Sequence, residues 1–169
     1  LDVGCGTGSY ALVLSDRGYR VTGIDISKVM VRKAEETAEK RKIKAEFFIQ
    51  DMRKIKLNKK FDCVIMFGVF GHFLTHEDLV NTLSGLKQHL VKGGLFIFDF
   101  WNAEGISKLA RAFSEAHKIR CYTLAEVQKH LDDNGFNMLS AYDWNAEGKM
   151  ELDMPVKKTF QILAVAKQS

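Results

Sequence analysis

Short apolar segments alternate with amphipathic ones along most of the chain. The apolar segments are three to seven residues long, and several are rich in β-branched or aromatic side chains, as in strands that are buried on both faces. They predict strands over Leu1–Val3, Arg20–Asp25, Glu46–Gln50, Phe61–Phe67 and Gly94–Phe100. The amphipathic segments predict helices over Ser9–Arg17, Lys28–Lys42, Glu77–Val91 and Leu124–Asn134. This alternation is typical of a mostly parallel α/β sheet covered by helices.

Polar residues and glycines mark the ends of the predicted helices. Ser27 and Thr75 precede the second and third helices, where a hydroxyl can cap an unpaired backbone amide. Gly93-Gly94 and Gly135 follow the third and fourth helices, where a left-handed C-terminal cap favours glycine. Both helices are therefore expected to end at these glycines and to lead into strands.

The last part of the chain predicts an antiparallel end to the sheet. Phe136–Trp144 and Thr159–Ala166 have the pattern of strands, and the polar segment Asn145–Lys157 between them is suited to a hairpin connection. The 169 residues, 46% of them hydrophobic, fit one domain over residues 1–169.

Two places suggest that this single domain is not complete. Leu1–Val3 is shorter than an ordinary strand, so we expect that residues preceding it are missing from this sequence. The helical pattern of Ile106–Phe113 passes abruptly into Ser114–Lys118. That change fits either a tight loop or a second missing segment near residue 114.

Composition and charge limit the classes of protein and the cellular compartments that fit this sequence. No apolar stretch approaches the roughly 18 residues that a membrane span needs, and the formal net charge is +4. Twelve Lys/Arg and five Asp/Glu lie between Lys28 and Lys60, which fits either a solvated face or an RNA-binding patch. The three cysteines, Cys5, Cys63 and Cys121, lack metal-ligand spacing and predict a reduced, cytoplasmic setting with no metal.

The first nine residues predict a strand, a glycine-rich turn and the start of a helix. Gly4, Gly6 and Gly8 have the spacing G-x-G-x-G. A side chain at Gly4 or Gly6 would stand between the backbone and a ligand, and the following helix N-terminus favours negative charge. The dinucleotide fingerprint is G-x-G-x-x-G, so the observed spacing disfavours nicotinamide and flavin dinucleotides.

Two carboxylates follow the next two predicted strands. Asp25 ends the second strand, where it can accept hydrogen bonds from both hydroxyls of a ribose, and Asp51 ends the third, where it can meet an adenine amino group. Open α/β sheets bind ligands at this edge. Either residue alone also fits a turn or a position before a helix cap, but their combination with the glycine turn predicts a ligand site.

Together these segments resemble the class I S-adenosylmethionine-dependent methyltransferases over nearly the whole chain. The similar segments are the first motif Leu1–Ser9, the ribose-binding Val21–Asp25, the adenine-flanking Gln50–Met52, the fourth strand Phe61–Phe67 and the helix-to-fifth-strand stretch Leu90–Ile97. The resemblance implies a Rossmann-like, seven-stranded doubly wound sheet of order 3-2-1-4-5-7-6, with strand 7 antiparallel.

The resemblance also implies S-adenosyl-L-methionine as cofactor and assigns residues to its two halves. Asp2 and the backbone of Gly4, Gly6 and Gly8 would hold the amino and carboxylate groups of the methionine half, with the carbonyl of Phe67 near the amino group. Cys5 lies between the first two glycines, and a small residue that fills the turn is expected there rather than a reactive thiol.

The adenosine half is assigned to the second and third strands. Asp25 would take the ribose hydroxyls, Ile26 and Met52 would lie on the two faces of the adenine, and Asp51 would meet its exocyclic amine.

The acceptor site is expected beyond the fourth and fifth strands. His72 is the candidate general base, with a helix-capping or packing histidine as the alternative, and Trp101 and Asn102 are the expected substrate contacts. The only proline is Pro155, which excludes the Asn/Asp-Pro-Pro-Tyr/Phe and Pro-Cys motifs of several nucleobase and glutamine methyltransferases.

The resulting prediction is an enzyme that methylates a small molecule. Similarity to small-molecule N-methyltransferases, including those that act on amino sugars, favours an amine acceptor, although those relatives have antiparallel strands that this chain lacks near Ser114. An RNA methyltransferase that uses the Lys28–Lys60 region, a non-catalytic S-adenosylmethionine-binding subunit and a nicotinamide oxidoreductase are the alternatives. Neither a nucleic acid nor a membrane is the expected partner, and the oligomeric state is open.

Overall fold

One mixed sheet runs through the protein. The computed structural model describes residues 1–105, 114–144, 150–151 and 161–169. The strands are β1 (Asp2–Val3), β2 (Val21–Asp25), β3 (Ala45–Ile49), β4 (Phe61–Met66), β5 (Leu90–Trp101), β6 (Phe136–Trp144) and β7 (Gln161–Gln168). Their order is 3-2-1-4-5-7-6, and β7 runs antiparallel to β5 and β6. The predicted sheet is confirmed, with the two-residue strand Met150–Glu151 added beyond β6.

Helices cover both faces of this sheet. They are α1 (Ser9–Asp16), α2 (Lys28–Arg41), α3 (His76–His89) and α4 (Leu124–Asp133), and two short 3-10 turns lie at Met52–Lys54 and Phe70–His72. The predicted caps are confirmed, since Ser27 Oγ accepts from Met30 N at 3.4 Å and Thr75 Oγ1 accepts from Asp78 N at 3.1 Å. No helix in the described part of the chain is long and apolar enough to cross a membrane.

The prediction that Gly93-Gly94 caps the third helix is wrong. α3 ends at His89 and the chain becomes extended at once, because Leu90 pairs with Phe61 of β4. The strand register then shifts before Leu95, and Gly93 takes a φ of +75° inside that irregularity. Gly135 behaves as predicted: it follows α4 with a φ of +78°.

Two predicted features fall wholly or mainly on residues outside the described ranges. These are the helical pattern Ile106–Phe113 and the connection Asn145–Lys157, of which only residues 150–151 are described. Residues 114–116, by contrast, are described and are helical, residues 117–118 form a turn, and the Ile119 amide donates to the Ser114 carbonyl at 2.8 Å.

The larger hydrophobic cluster packs α3 and α4 against one face of the sheet and holds the segment that follows β4. The Phe70 ring stacks on Phe98 at a centroid distance of 4.9 Å and meets Tyr122 edge-on at 5.1 Å. The wholly buried Tyr122 hydroxyl donates to the Phe73 carbonyl at 2.7 Å. Aromatic packing therefore anchors the Phe70–His72 turn at the carboxyl edge of the sheet.

The smaller cluster packs α1 and α2 against the other face and depends on a glycine in β2. A Cβ atom on Gly23 would lie 2.7 Å from the Phe47 ring and 2.9 Å from Cys5 Sγ. These separations are far below van der Waals contact, so the sheet and the glycine turn approach each other closely only without a side chain at residue 23.

We predict that Gly23→Ala destabilises the protein by about 1–3 kcal/mol, because the added methyl overpacks this cluster. Gly85→Ala is the matched control, since its Cβ would lie 3.8 Å from Ile55, an ordinary contact, inside α3. Alanine there is expected to stabilise the helix by up to about 1 kcal/mol. Denaturant unfolding measures both changes, and a Gly23→Ala variant as stable as the original protein would contradict the packing described.

Candidate functional site

The glycine turn between β1 and α1 is held against the end of β2. The amides of Gly4 and Cys5 both donate to the Ile24 carbonyl, at 2.8 and 3.0 Å. The Gly6 amide donates to Asp25 Oδ2 at 2.9 Å. The backbone of the turn therefore has a fixed position at the carboxyl edge of the sheet.

The three glycines are required for different reasons. All have positive φ values, of +70° at Gly4, +54° at Gly6 and +82° at Gly8. A Cβ on Gly4 would lie 2.4 Å from Val69 Cγ2, and one on Gly8 would lie 3.1 Å from both Ala34 and Phe47. A Cβ on Gly6 would meet nothing within 4 Å. Of the three, Gly6 is the one whose backbone faces open space.

The Asp25 carboxylate joins the glycine turn to α2. Oδ2 accepts from Gly6 N, and Oδ1 accepts from Ser27 N at 2.8 Å. Two backbone donors thus fix the orientation of the carboxylate, while each oxygen keeps a lone pair for a further donor. Asp25 lies on the wall of a cleft, where a diol could use those lone pairs.

Asp2 lies beside the turn and is only 2% exposed. Its Oδ2 atom has no hydrogen-bond partner in the described part of the chain. Burial raises the pKa of Asp2 from its ordinary value of 3.8 to about 6. A buried, unpaired carboxylate oxygen is suited to a positively charged partner, since such a partner would offset the cost of ionising it there.

The cleft has a volume of about 480 Å³ and lies along the carboxyl ends of β1, β2, β3 and β4. This size is in the ordinary range for small-molecule sites. The predicted site residues on its wall are Gly4, Asp25, Ile26, Asp51, Met52, Phe67 and His72. The predicted site residues that the wall does not include are Asp2, Cys5, Gly6, Gly8, Trp101 and Asn102.

The end of the cleft near β3 combines apolar and charged groups. Ile26 is 64% exposed on one side, and Met52 packs against the larger cluster on the other. The Arg53 guanidinium holds the Asp51 carboxylate at 2.6 Å and keeps the pKa of Asp51 below its ordinary value. Arg53 also reaches Asp78 of α3 at 3.2 Å.

Sequence reasoning missed Arg53 and Asp78 as parts of the cleft wall. Arg53 stands in the basic run, where it was counted only as charge. The spacing of Asp51 and Arg53 was the available local signal, but the contact with Asp78 depends on how α3 packs.

The other end of the cleft is formed by the segment after β4. Phe67, Gly68 and Val69 line it, and the Phe67 ring lies 4.7 Å from the Tyr10 ring of α1. His72 follows in the Phe70–His72 turn, exposed and on the cleft wall. The two ends place groups suited to a nucleoside at one side and a candidate base at the other.

A backbone contact fixes the His72 turn from behind. The Arg120 amide donates to the Gly71 carbonyl at 2.8 Å. A Cβ on Gly71 would lie 2.5 Å from Ile119 Cγ2, so the two segments touch closely.

Trp101 and Asn102, the expected substrate contacts, lie at the end of β5. Asn102 is 0% exposed, its Oδ1 accepts from Glu104 N at 3.2 Å and its backbone pairs with Tyr122. These contacts give Asn102 a part in the fold. Trp101 is half-buried.

Cys5 fills the glycine turn, as expected. It is 7% exposed, and burial raises the pKa of its thiol to about 12, so the thiol stays protonated and unreactive at neutral pH. Among the described residues, no group of three or more His, Cys, Asp or Glu side chains is arranged to hold a metal ion.

Relatives with known names include both O- and N-methyltransferases. Malonyl-acyl-carrier-protein O-methyltransferase of Acetivibrio thermocellus is 33% identical over 120 residues, which are 70% of this chain and 41% of that protein. Magnesium-protoporphyrin O-methyltransferase of Synechocystis is 32% identical over 158 residues, 81% of this chain and 62% of that protein. The dTDP-3-amino-3,4,6-trideoxy-alpha-D-glucopyranose N,N-dimethyltransferase of Streptomyces venezuelae is 31% identical over 102 residues, 60% and 41% of the two chains.

Solved structures share the fold. An S-adenosylmethionine-dependent methyltransferase from Clostridium acetobutylicum superposes with a TM-score of 0.80 at 19% identity, covering 99% of this chain and 82% of that one. Magnesium protoporphyrin IX methyltransferase from Synechocystis, solved with bound S-adenosylmethionine, superposes with a TM-score of 0.72 at 25% identity, covering 99% and 68% of the two chains.

We predict that the stability of the protein depends on pH through Asp2. Between about pH 4 and pH 6 the folded state keeps the proton that the unfolded chain has released, so stability falls as the pH rises through that window. Asp2→Asn lacks this titration. The difference in unfolding free energy between the two proteins should therefore change by roughly 2 kcal/mol between about pH 4 and pH 7, in favour of the variant at the higher pH. Denaturant titrations across this range measure it, and a constant difference would contradict the burial of a titrating Asp2.

The family described as the methyltransferase domain matches residues 1–94 of the chain. The chain spans between 40% and 63% of the length of the curated relatives it matches. The match covers β1 to β4, α1 to α3 and the glycine turn with Asp25, and the superposed structures share the fold over 99% of the chain. The chain belongs to the class I S-adenosylmethionine-dependent methyltransferases.

Proposed function

We propose that the protein transfers a methyl group from S-adenosylmethionine to a small-molecule acceptor, and that the acceptor atom is an amine nitrogen. One observation carries the proposal: the Asp25 carboxylate is fixed on the cleft wall beside the turn whose Gly6 backbone faces open space. A fixed carboxylate suits a ribose diol, and an open backbone suits close approach of a ligand.

The adenosine half of the cofactor fits the end of the cleft near β3. Asp25 would accept from the two ribose hydroxyls. Ile26 and Met52 supply apolar surface on two sides of the adenine, and the Asp51 carboxylate, oriented by Arg53, would accept from its amine. The Asp25 and Asp51 carboxylates are already held by hydrogen bonds within the protein, so little ordering of these two groups would be needed on binding.

The methionine half fits the glycine turn. The unpaired Oδ2 atom of Asp2 would be a negative partner for the ammonium group of the ligand. The turn backbone and the N-terminus of α1 suit the ligand's carboxylate. The Phe67 carbonyl, at the end of β4 on the same side, is the proposed second acceptor for the ammonium group.

When bound, S-adenosylmethionine supplies a methyl group on a positively charged sulfur, which leaves as a neutral thioether. The protein then has to align the acceptor with that methyl group and to remove a proton from an amine acceptor. His72 is the proposed base because its imidazole stands on the cleft wall in a turn that is held from behind. A neutral imidazole would take the proton that the acceptor nitrogen loses as its bond to the methyl carbon forms.

The charges on the cleft wall support a cationic cofactor and an amine. Asp25, Asp51 and Asp78 bring three carboxylates to the wall, and Arg53 brings one guanidinium. This excess of negative charge favours a sulfonium and an amine, whereas it would repel the pyrophosphate of a dinucleotide or the phosphates of a nucleic acid.

The basic region Lys28–Lys60 does not favour the RNA alternative. Several of its cations are paired with acids: Arg41 lies 3.8 Å from Asp16, Arg53 bridges two carboxylates and Lys59 pairs with Glu46. Paired and exposed side chains of this kind are typical of a solvated face.

Binding and turnover of the intact, full-length protein test the proposal. Calorimetric titration should give saturable binding of S-adenosylmethionine and S-adenosylhomocysteine and no binding of NADH. With small primary and secondary amines as acceptors, the protein should then form S-adenosylhomocysteine at a higher rate than with phenols of similar size. Binding without turnover on any acceptor would favour the non-catalytic alternative, and binding of NADH alone would overturn the proposed function.

We predict that His72→Ala lowers kcat by roughly 10²-fold or more and leaves the affinity for S-adenosylhomocysteine unchanged, because the lost group acts on the acceptor proton. His76→Ala is the matched control: His76 is also exposed and close in sequence, but it is not on the cleft wall. Steady-state rates across pH measure the effect. Equal rates in the two variants would remove His72 as the base.

A further inference from the structure

The three residues after β4 lie on the cleft wall beside the glycine turn. A methyl group of Val69 occupies the space that a Cβ on Gly4 would need, with only 2.4 Å between the two positions. The Phe67 ring packs on Tyr10 from α1. The position of the Phe67–Val69 segment therefore determines where the Phe67 carbonyl lies relative to the glycine turn.

A buried carboxylate behind this segment holds it. Asp99, in β5, is 6% exposed, and its Oδ1 accepts from Gly68 N at 2.6 Å. Its Oδ2 accepts from the side-chain amide of Gln161 in β7. Burial raises the pKa of Asp99, and the two hydrogen bonds oppose that rise.

Asp99 acts where the sheet ladder has ended. β4 ends at Met66, whose partner in β5 is Phe98, so the Gly68 amide lies beyond the last paired residue. Gly68 also has a φ of +68°, so the chain leaves the extended strand conformation at this residue. The Asp99 side chain supplies the acceptor that the neighbouring backbone does not, and hydrogen bonds to a carboxylate are stronger than those between neutral groups.

We propose that Asp99 is a positioning residue for the methionine half of the cofactor: by holding the Gly68 amide it fixes the Phe67 backbone beside the glycine turn. The inference rests on the proposed function, since it takes S-adenosylmethionine as the ligand. Asp99 bonds to the Gly68 amide from behind the Phe67–Val69 segment, so it acts on the ligand through that segment.

Without the carboxylate, the Gly68 amide pairs with water and the segment loses its fixed position. The loss should affect ligand groups near Phe67 and spare those near Asp25 and Met52, which belong to the other end of the cleft. A pair of ligands separates these effects. S-adenosylhomocysteine has the amino-acid end, and 5′-methylthioadenosine keeps the adenine, ribose and sulfur but lacks that end. Both are uncharged at sulfur, so the charge of a sulfonium does not enter the comparison.

The experiment compares the two ligands by calorimetry on the intact protein and its variants. Asp99→Ala should lower the affinity for S-adenosylhomocysteine roughly tenfold or more. This is the loss expected when the hydrogen bond between the Phe67 carbonyl and the charged ammonium group of the ligand is no longer made. The affinity for 5′-methylthioadenosine should stay within about twofold, which also shows that the variant is folded. Asp99→Asn should restore most of the affinity, because its Oδ1 can accept from Gly68 while the Gln161 amide turns to accept from its Nδ2.

Gln161→Met is the matched control, since it removes the second partner of Asp99 and leaves the Gly68 contact in place. It should bind both ligands like the original protein. An equal loss of both ligands in Asp99→Ala, an unchanged affinity for S-adenosylhomocysteine, or an Asp99→Asn variant as weak as Asp99→Ala would overturn the inference. If the original protein binds neither ligand, the proposed function is overturned as well. A failure of the proposed function is therefore distinguishable from a failure of the inference about Asp99.

Discussion

The hydrogen bonds of the Asp25 carboxylate are the interaction on which the site depends. One oxygen holds the Gly6 amide of the turn after β1, and the other holds the Ser27 amide where α2 begins. Three parts of the chain thus converge on one side chain at the carboxyl edge of the sheet. The same two bonds orient the carboxylate toward the cleft, so the group that organises the turn is also the one proposed to bind the ribose.

Close approach is the second constraint, and it is met by removing side chains. The sheet and the turn come together at Gly23, and the turn and the segment after β4 come together at Gly4. At both positions a single methyl group would overlap a neighbour, whereas the space at Gly6 is open. The glycines therefore have two different roles. Gly4 and Gly23 allow parts of the protein to pack closely together, and Gly6 leaves room for a ligand.

Local patterns were sufficient to predict the strands and most helix ends, because buried strands and amphipathic helices differ in period and the caps lie next to the helices they cap. The order of the strands in the sheet followed from the resemblance to the methyltransferase family and not from these patterns. Gly93-Gly94 was misassigned because the pairing of Leu90 with Phe61, a contact distant in sequence, decides where the strand begins. For the same reason the sequence did not reveal that Arg53 bridges to Asp78 or that Asp99 holds Gly68. The glycines and carboxylates that face a ligand can be recognised from their spacing in the sequence. The side chains that hold them in place come from distant parts of the chain and cannot be recognised in this way.

A crystal structure of the intact protein with S-adenosylhomocysteine tests the central claim most directly. The account predicts both ribose hydroxyls within hydrogen-bond distance of Asp25, the adenine between Ile26 and Met52 and the amino-acid end beside Gly6. A nucleoside bound in another part of the molecule, or in the cleft with its ribose away from Asp25, would contradict it.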